Sequence, residues 1–246
     1  MMSSKEVNLL SIFLKQYVYK LKAYSTLVYG LITAQLIALL FSLGGVGSMG
    51  SGNGELSVFV KSYSANIVLI FSFVWIMFIA LRLTTKQYKS MEITLVTNRI
   101  TGNLSNIGFL ATACVFGGIT SSLIGVLLRI IMYFTFDRSQ IVIDGFSLAV
   151  SDLLLGIVVA ILYMILISAM GYLIGVLTQI NAAFVIIIPA VIIGLQLRVY
   201  TNFPQTVFKF FAFENSLPLF ALKVISISIV FFGVSLFLSN RMEVGK

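Results

Sequence analysis

Long apolar runs without charged residues, separated by short polar segments, dominate the pattern of this chain. A helix needs about 20 such residues to cross a hydrocarbon core of about 30 Å. Six runs fit this description, although the fifth is short and contains Pro189. The predicted spans are residues 24–43, 62–81, 104–128, 149–178, 182–197 and 217–238. We therefore expect an all-α fold, a polytopic membrane protein with a single transmembrane domain over residues 1–246.

The composition is that of a protein dissolved in lipid. Of 246 residues, 59% are hydrophobic and only 10% are charged, against roughly a quarter in an average soluble domain. A soluble fold must cover its exterior with polar groups, whereas a helix in lipid exposes Leu, Ile and Phe without cost. Histidine is absent, which excludes His metal ligands and His general bases. Cys114 is the only cysteine, so no intramolecular disulfide forms.

Basic residues outnumber acidic ones, for a formal net charge of +8. They are scattered through short connections rather than gathered in one patch, so nucleic-acid binding is not indicated. With both termini in the cytoplasm, ten of the 16 Lys and Arg residues lie inside, as the positive-inside rule requires. We expect a multi-pass plasma-membrane protein with this orientation. A cleaved signal peptide ending near Gly44–Gly54 is the alternative for the first run, but about 20 apolar residues exceed a usual signal core.

Residues 1–23 are predicted to form an amphipathic helix at the inner membrane interface. Apolar positions recur at helical spacing and polar positions lie opposite them. The apolar set is Val7, Leu10, Leu14, Tyr17, Val18 and Leu21, and the polar set is Lys5, Lys15, Gln16, Lys20 and Lys22. We expect the apolar face in the acyl boundary and the lysines toward anionic headgroups. The alternative is a frayed cytoplasmic tail.

The longest cytoplasmic connection, residues 82–103, contains a predicted short helix from Lys86 to Val96. Thr97–Thr101 follows, with hydroxyl and amide side chains that favour a turn or a helix N-cap. A short helix across the cytoplasmic mouth of a bundle suits docking onto a soluble partner. The alternative is a solvated loop that only joins two spans. The glycine-rich segment 44–54, by contrast, is expected to be a flexible outer connection without chemistry.

The outer segment 198–216 is too polar at its ends to span and too aromatic for a plain linker. Its phenylalanines would let it lie at the outer interface or dip into it as a re-entrant segment. The candidate outer-gate residues are Phe203, Phe208, Phe210, Phe211 and Phe213. The alternative is an aromatic belt that only anchors the protein.

Three ionisable residues near outer span ends are candidates for an intramembrane ion pair: Asp152, Arg129 and Lys223. Snorkelling to the outer interface is the favoured explanation for the two basic residues. No acidic residue lies in the middle of a predicted span, so a proton- or sodium-coupled carrier has little support.

Small residues four apart predict close helix packing, within the bundle or across a dimer. The pairs are Gly118 and Ser122, Ser121 and Gly125, and Gly171 and Gly175.

The stretch from Glu92 to Thr101 resembles the intracellular loop of ABC-2 type transporter permeases: a Glu, apolar residues, then Thr-Asn-Arg-Ile-Thr leading into the third span. The amphipathic start, the long fourth span and the near-contiguous fifth span are also similar to that family. The composition of Gly171–Gly194 is similar to that of the family's hairpin of fourth and fifth spans. Gly102-Asn103 departs from it, because many members carry a basic residue after the turn. The nearest comparison is with small Gram-positive exporters of bacteriocin-like peptides and phenol-soluble modulins.

The resemblance implies the permease subunit of an ABC exporter whose coupling helix sits in a groove of a separate cytoplasmic ABC ATPase. The residues it assigns to coupling are Lys86, Lys89, Met91, Glu92, Leu95, Asn98 and Arg99. No GxxxxGK[ST] motif occurs, so the partner would bind ATP and Mg²⁺, and this chain would carry neither cofactor nor catalytic site.

A second permease copy or homologue would complete the transporter. The expected cargo is a hydrophobic or amphipathic, toxin-like peptide. The alternative function is that of an energy-independent membrane protein, such as a channel, an immunity protein or a secondary carrier.

Overall fold

The computed structural model describes residues 9–45, 47–53, 56–62, 64–85, 88, 99–135, 149–194, 210 and 216–241. This part of the chain forms seven helices and one two-stranded sheet. The helices are α1 (Leu9–Ala23), α2 (Ser25–Leu43), α3 (Asn66–Thr84), α4 (Arg99–Thr135), α5 (Val150–Ile180), α6 (Phe184–Gly194) and α7 (Leu217–Arg241). The strands are β1 (Gly47–Asn53) and β2 (Leu56–Ser62).

Among the described helices, four are long and apolar enough to cross a membrane, namely α3, α4, α5 and α7. Even α3, with 19 residues, is about 28 Å long at 1.5 Å per residue, close to the hydrocarbon thickness. The number rises to five if α1 and α2 are counted as one broken span. These helices indicate a polytopic helical membrane protein, and six spans stay a prediction.

The distribution of side chains agrees with a bilayer as solvent. Large apolar residues cover the outside of the helices, with Phe134 80% and Ile186 75% exposed. Polar residues such as Gln35, Ser72 and Ser235 are buried. Water would penalise so many exposed apolar side chains, whereas lipid accommodates them and polar groups gather where helices touch.

The described part of the chain is helical, as predicted, except at the glycine-rich segment and the residues after it, which form a short hairpin. β1 and β2 pair antiparallel, from Gly47 opposite Ser62 to Asn53 opposite Leu56, where the sequence predicts a flexible connection. Val and Phe residues within β2 favour a strand, but the glycines of β1 indicate only a loop when taken alone. As a result α3 begins at Asn66, four residues after the predicted start of the second span.

α4 extends beyond the predicted third span at both ends. It begins at Arg99, five residues before position 104, and continues to Thr135. Arg129 therefore lies within a helix and not in a connecting loop. Apolar residues on both sides of it, including Leu128 and Ile130, continue the helical pattern.

A tight turn follows the fourth predicted span, where the sequence leaves only residues 179–181 between two predicted spans. α5 ends at Ile180 and α6 begins at Phe184, and Asn181 Oδ1 accepts the backbone N–H of Ala183 at 2.9 Å, a local bond typical of turns. α6 has 11 residues, with Pro189 inside, fewer than the roughly 20 needed to cross. The last residues of the predicted fifth span, 195–197, lie outside the described residues.

The chain divides into two compact units. Unit 1 comprises Met1–Ala23, Met77–Thr112 and Ile165–Lys246, and unit 2 comprises Tyr24–Ile76 and Ala113–Met164. Thus α1, α6 and α7 belong to unit 1, α2 and the hairpin to unit 2, and α3, α4 and α5 contribute residues to both.

Unit 2 is held together by close helix packing. A Cβ built on Gly118 would lie 2.5 Å from Ile161 Cγ1, and one on Gly117 would lie 2.5 Å from Met164 Cε, so α4 and α5 pack where these side chains are missing. One on Gly125 would lie 3.2 Å from the Cβ of Ala65. The packing role predicted for Gly118 and Gly125 is confirmed.

Candidate functional site

A lysine is buried in unit 1 where α1 meets the start of α4. Lys20 is 2% exposed, and its Nζ donates to the carbonyl oxygen of Gly102 at 3.0 Å, to Ser105 Oγ at 2.6 Å and to Asn106 Oδ1 at 2.6 Å. An ammonium group has three protons to donate, and these oxygens are suitable acceptors for them. Because an unsatisfied buried charge is very costly, the site is built to hold a cation.

The acceptors come from the first two turns of α4. Ser105 and Asn106 are 0% and 1% exposed, and Ser105 Oγ donates onward to the Gly102 oxygen at 2.7 Å. Leu104, which lies between Gly102 and Ser105 in sequence, is 44% exposed. Helical spacing places residues 102, 105 and 106 on one face. The first turns of this otherwise apolar helix therefore carry a polar face, which contacts α1.

Asn103 connects the same turn of α4 to two further helices. Its Nδ2 donates to Ser239 Oγ of α7 at 3.1 Å, and its Oδ1 accepts the hydroxyl proton of Tyr172 of α5 at 3.1 Å. Tyr172 is fully buried and lies 5.9 Å from the ring of Phe232. The start of α4 is thus joined by side-chain hydrogen bonds to α1, α5 and α7. We call these groups the Lys20–Asn103 cluster: Lys20, Gly102, Asn103, Ser105, Asn106, Tyr172 and Ser239.

α1 turns part of its polar face into the protein. Leu10 and Leu14 on the other face are 66% and 47% exposed, as expected of a face in contact with lipid. Lys20 is buried, so the prediction that this lysine faces headgroups is wrong, and Gln16 on the same polar face is buried as well. The physical reason is that lipid solvates the apolar face, and polar side chains in a membrane protein therefore gather at helix contacts.

Most predicted coupling residues fall outside the described residues, namely Lys86, Lys89, Met91, Glu92, Leu95 and Asn98. Arg99 begins α4, but its side chain is also outside them. Near the start of this segment, the Arg82 guanidinium carbon lies 5.7 Å from the ring centroid of Tyr88. What the structure brings together is the stretch directly after the predicted coupling residues, which contacts α1 through Lys20.

Of the predicted outer-gate residues, only Phe210 is described; Phe203, Phe208, Phe211 and Phe213 lie outside the described residues. Phe210 is 46% exposed. Lys223 Nζ lies 4.5 Å from its ring centroid, within the range of a cation–π interaction. The outer gate stays a prediction.

The residues of the proposed ion pair lie on three helices. Asp152 is in the first turn of α5 and exposed, and its Oδ1 accepts from Ser151 Oγ at 3.5 Å. Arg129 is exposed on α4, and Lys223 of α7 contacts Phe210. Their pairing stays a prediction.

The groups of the Lys20–Asn103 cluster are suited to joining helices through hydrogen bonds. Its members are ammonium, amide, hydroxyl and carbonyl groups, which fasten helices to one another with directional bonds. Among the described residues, no group of three or more His, Cys, Asp or Glu side chains is placed to hold a metal ion.

Comparison of the chain with protein-family models, curated proteins and solved structures finds no match. Its function is therefore inferred from the geometry of the cluster and from the resemblance of residues 92–101.

The cluster was not predicted as a site. The helical pattern places Lys20 on the face of α1 that is predicted to meet headgroups. The pair Gly102-Asn103 stands out in the sequence only because it departs from the pattern of the resembled family. The signal was the run of polar residues from Thr101 to Asn106 at the start of an apolar helix, since such groups need partners inside the protein.

Proposed function

We propose that this chain is the transmembrane permease subunit of an ABC exporter, driven by a separately encoded cytoplasmic ATPase. The observation that carries the proposal is the hydrogen bonding of buried Lys20 to the first turns of α4. Its nearest acceptor in sequence, Gly102, comes three residues after Arg99, the last predicted coupling residue. The amphipathic helix α1 is therefore fastened to the helix that emerges from the predicted coupling segment.

In this proposal, ATP-driven closure of the ATPase displaces the coupling segment. α4 follows that segment directly, and Lys20 ties α1 to α4, so the two helices would move as one. Asn103 extends the connection to α5 through Tyr172 and to α7 through Ser239. A cluster whose polar groups are all hydrogen-bonded has one defined geometry, and its bonds are either formed or broken. Such a two-state cluster can pass the movement of one helix on to the helices bonded to it. The different nucleotide affinities of the two states shift the equilibrium between them, and ATP hydrolysis supplies the free energy that resets the cycle.

The remaining parts of the proposal come from the sequence. They are six spans, both termini in the cytoplasm, and a pathway completed by a second copy or a homologue. The aromatic segment 198–216 and the apolar character of the spans favour a hydrophobic or amphipathic cargo. A toxin-like peptide is the proposed example.

The test is reconstitution with a partner. The tagged chain, co-expressed with its neighbouring genes, is expected to co-purify with an ATPase whose ATP hydrolysis is sensitive to vanadate. A fluorescent amphipathic helical peptide should enter inside-out vesicles only with ATP. The double variant Glu92→Ala with Leu95→Ala should lower both activities, because it removes the predicted contact with the ATPase. The control Glu243→Ala with Val244→Ala, which changes the same kind of residues in the C-terminal segment, should retain them.

Failure of any ATPase to co-purify, together with uptake that needs no ATP, would refute the exporter proposal. That result would favour the energy-independent alternative.

A further inference from the structure

A cavity of about 560 Å³ lies within unit 1, between the ends of α3 and α5 and the side of α6. Its size is within the range of sites for small molecules. Most of the lining is apolar, with Met77 and Phe78 from α3, Ile174 from α5 and Ile188 from α6. Such a lining suits an alkyl chain.

The polar lining residues are at the ends of two helices. Arg82 and Thr85 lie at the end of α3, and Thr178 and Gln179 lie in the last turn of α5. Among the described residues that line the cavity, Arg82 is the charged one. Met77, Phe78 and Ile174 precede these groups by about one turn, although Leu81 is adjacent to Arg82. The part of the cavity at these helix ends is therefore its more polar part, and it carries the positive charge of Arg82.

The helix termini leave the charge at this end positive. α5 ends at Ile180 and α6 begins at Phe184, so a partly negative C-terminus and a partly positive N-terminus lie close together and largely cancel. The C-terminus of α3 contributes about half a negative charge. Arg82 in its last turn contributes a full positive charge, so the polar end favours an anion.

The rim of the cavity belongs to the lipid-facing surface. Phe78 from α3 is 60% exposed and Val185 from α6 is 58% exposed, and both line the cavity. A molecule of the bilayer can therefore enter sideways without first reaching water. The positive-inside rule also predicts that Arg82 faces the cytoplasmic leaflet, which is rich in anionic lipids.

We propose that this cavity binds one anionic phospholipid, with an acyl chain against Phe78 and α6 and the phosphate on Arg82. The guanidinium group suits a phosphate because it donates two parallel hydrogen bonds. This inference does not depend on the proposed transport function, since it concerns lipid bound by the chain alone.

The test is lipid binding to the full-length protein in detergent, followed by native mass spectrometry. Phosphatidylglycerol should bind about tenfold more tightly than phosphatidylcholine with the same acyl chains, as one charge-assisted contact would produce. Arg82→Gln should abolish the difference, and Arg82→Lys should retain part of it. The matched control is Arg241→Gln, because Arg241 also ends a helix and lies 5.3 Å from an aromatic ring, that of Phe237, but does not line the cavity.

A second variant tests the acyl site independently of the charge. Val185→Trp should fill the apolar opening and weaken the binding of both lipids. Glycerol phosphate, which lacks acyl chains, should not compete at lipid concentrations.

Three results would overturn the proposal. One is equal binding of the two lipids by the wild type, and another is equal loss of selectivity in Arg82→Gln and Arg241→Gln. The third is that the fluorescent amphipathic peptide binds more tightly than either lipid and that Val185→Trp weakens this peptide binding. That result would make the cavity a peptide site.

Discussion

In unit 1 the buried polar cluster contains a charged group, whereas the comparable cluster in unit 2 is neutral. Lys20 Nζ donates to three oxygens at 2.6 to 3.0 Å. In unit 2, Gln35 Nε2 donates to Ser72 Oγ at 3.0 Å and to Thr120 Oγ1 at 3.1 Å. Both donors are buried, but only the first brings an ammonium group into the protein.

The two clusters also differ in what remains when the donor is removed. The hydroxyl groups around Gln35 donate to their own helices, Ser72 to Val68 and Thr120 to Phe116, so they keep these bonds. Asn106 Oδ1, which is buried, accepts a hydrogen bond from Lys20 Nζ. A buried acceptor that loses its donor costs much more than a hydrogen bond contributes. The cluster of unit 1 is therefore the more sensitive one.

The cluster that contains Lys20 is the better candidate for a functional role. Neutral side-chain hydrogen bonds between membrane helices contribute little, about 0.6 kcal/mol on average, and Gln35 belongs to this class. A buried cation in a membrane protein is expensive and generally marks a functional place. Lys20 therefore supports a role in transmission for the start of α4.

The largest expected effect on stability is that of Lys20→Ala. The variant removes the cation and leaves Asn106 Oδ1 without its present donor, so we expect a loss of about 3 kcal/mol. Urea or SDS titration of the purified protein, followed by circular dichroism, measures it. Lys15→Ala on the exposed side of the same helix should have no measurable effect. Equal losses in the two variants would contradict the comparison.

Gly118→Ala tests the packing of unit 2. The new Cβ would lie 2.5 Å from Ile161 Cγ1 and 3.1 Å from its backbone nitrogen, so the helices must separate, at a cost of about 2 kcal/mol. Gly156→Ala in α5 meets nothing within 4 Å and should be neutral or stabilising, because alanine favours helices. The same titration measures both. A stable Gly118→Ala protein would show that the contact between α4 and α5 is loose.

Tyr172→Phe removes one hydroxyl from the cluster of unit 1. Asn103 Oδ1 then loses the donor at 3.1 Å, while the ring stays buried, so a loss of about 1 kcal/mol is expected. Thermal unfolding in detergent measures it. Tyr29→Phe is the matched control, because Tyr29 is 69% exposed, and its midpoint should not change. An unchanged midpoint for Tyr172→Phe would remove the link between α4 and α5 from the account.

The smallest effect is expected for Gln35→Leu. Its two hydroxyl partners keep their bonds to their own helices, and leucine fits an apolar surrounding, so stability should change by less than about 0.6 kcal/mol. The measurement is the thermal midpoint. A loss as large as that of Lys20→Ala would erase the proposed distinction between the two clusters.

The sequence predicts the apolar helices, the short connection between the fourth and fifth predicted spans, and the packing glycines, because each depends on local composition and spacing. It does not predict β1, since a glycine-rich strand forms only through its partner β2. The extent of α4 is also missed, because one charged residue, Arg129, does not interrupt a helix whose neighbours remain apolar.

The pattern of apolar and polar residues along α1 does not predict the burial of Lys20, for a different reason. Helical spacing identifies two faces of α1 but does not say which of them meets lipid, water or protein. Only the polar face of α4, from Gly102 to Asn106, indicates that a donor is needed there. That donor comes from 82 residues away in sequence, a contact that no local rule supplies.

The most direct test of the account compares two lysines on one helix in the reconstituted complex. ATP hydrolysis and ATP-dependent uptake of the fluorescent amphipathic peptide are measured for the wild type, Lys20→Met and Lys15→Met. Lys20→Met should hydrolyse ATP within about twofold of the wild type but take up peptide about tenfold more slowly, in line with coupling changes of about 0.5–2 kcal/mol. Lys15→Met should match the wild type in both. Unchanged peptide uptake per ATP hydrolysed in Lys20→Met would contradict the claim that Lys20 transmits the movement from the coupling segment.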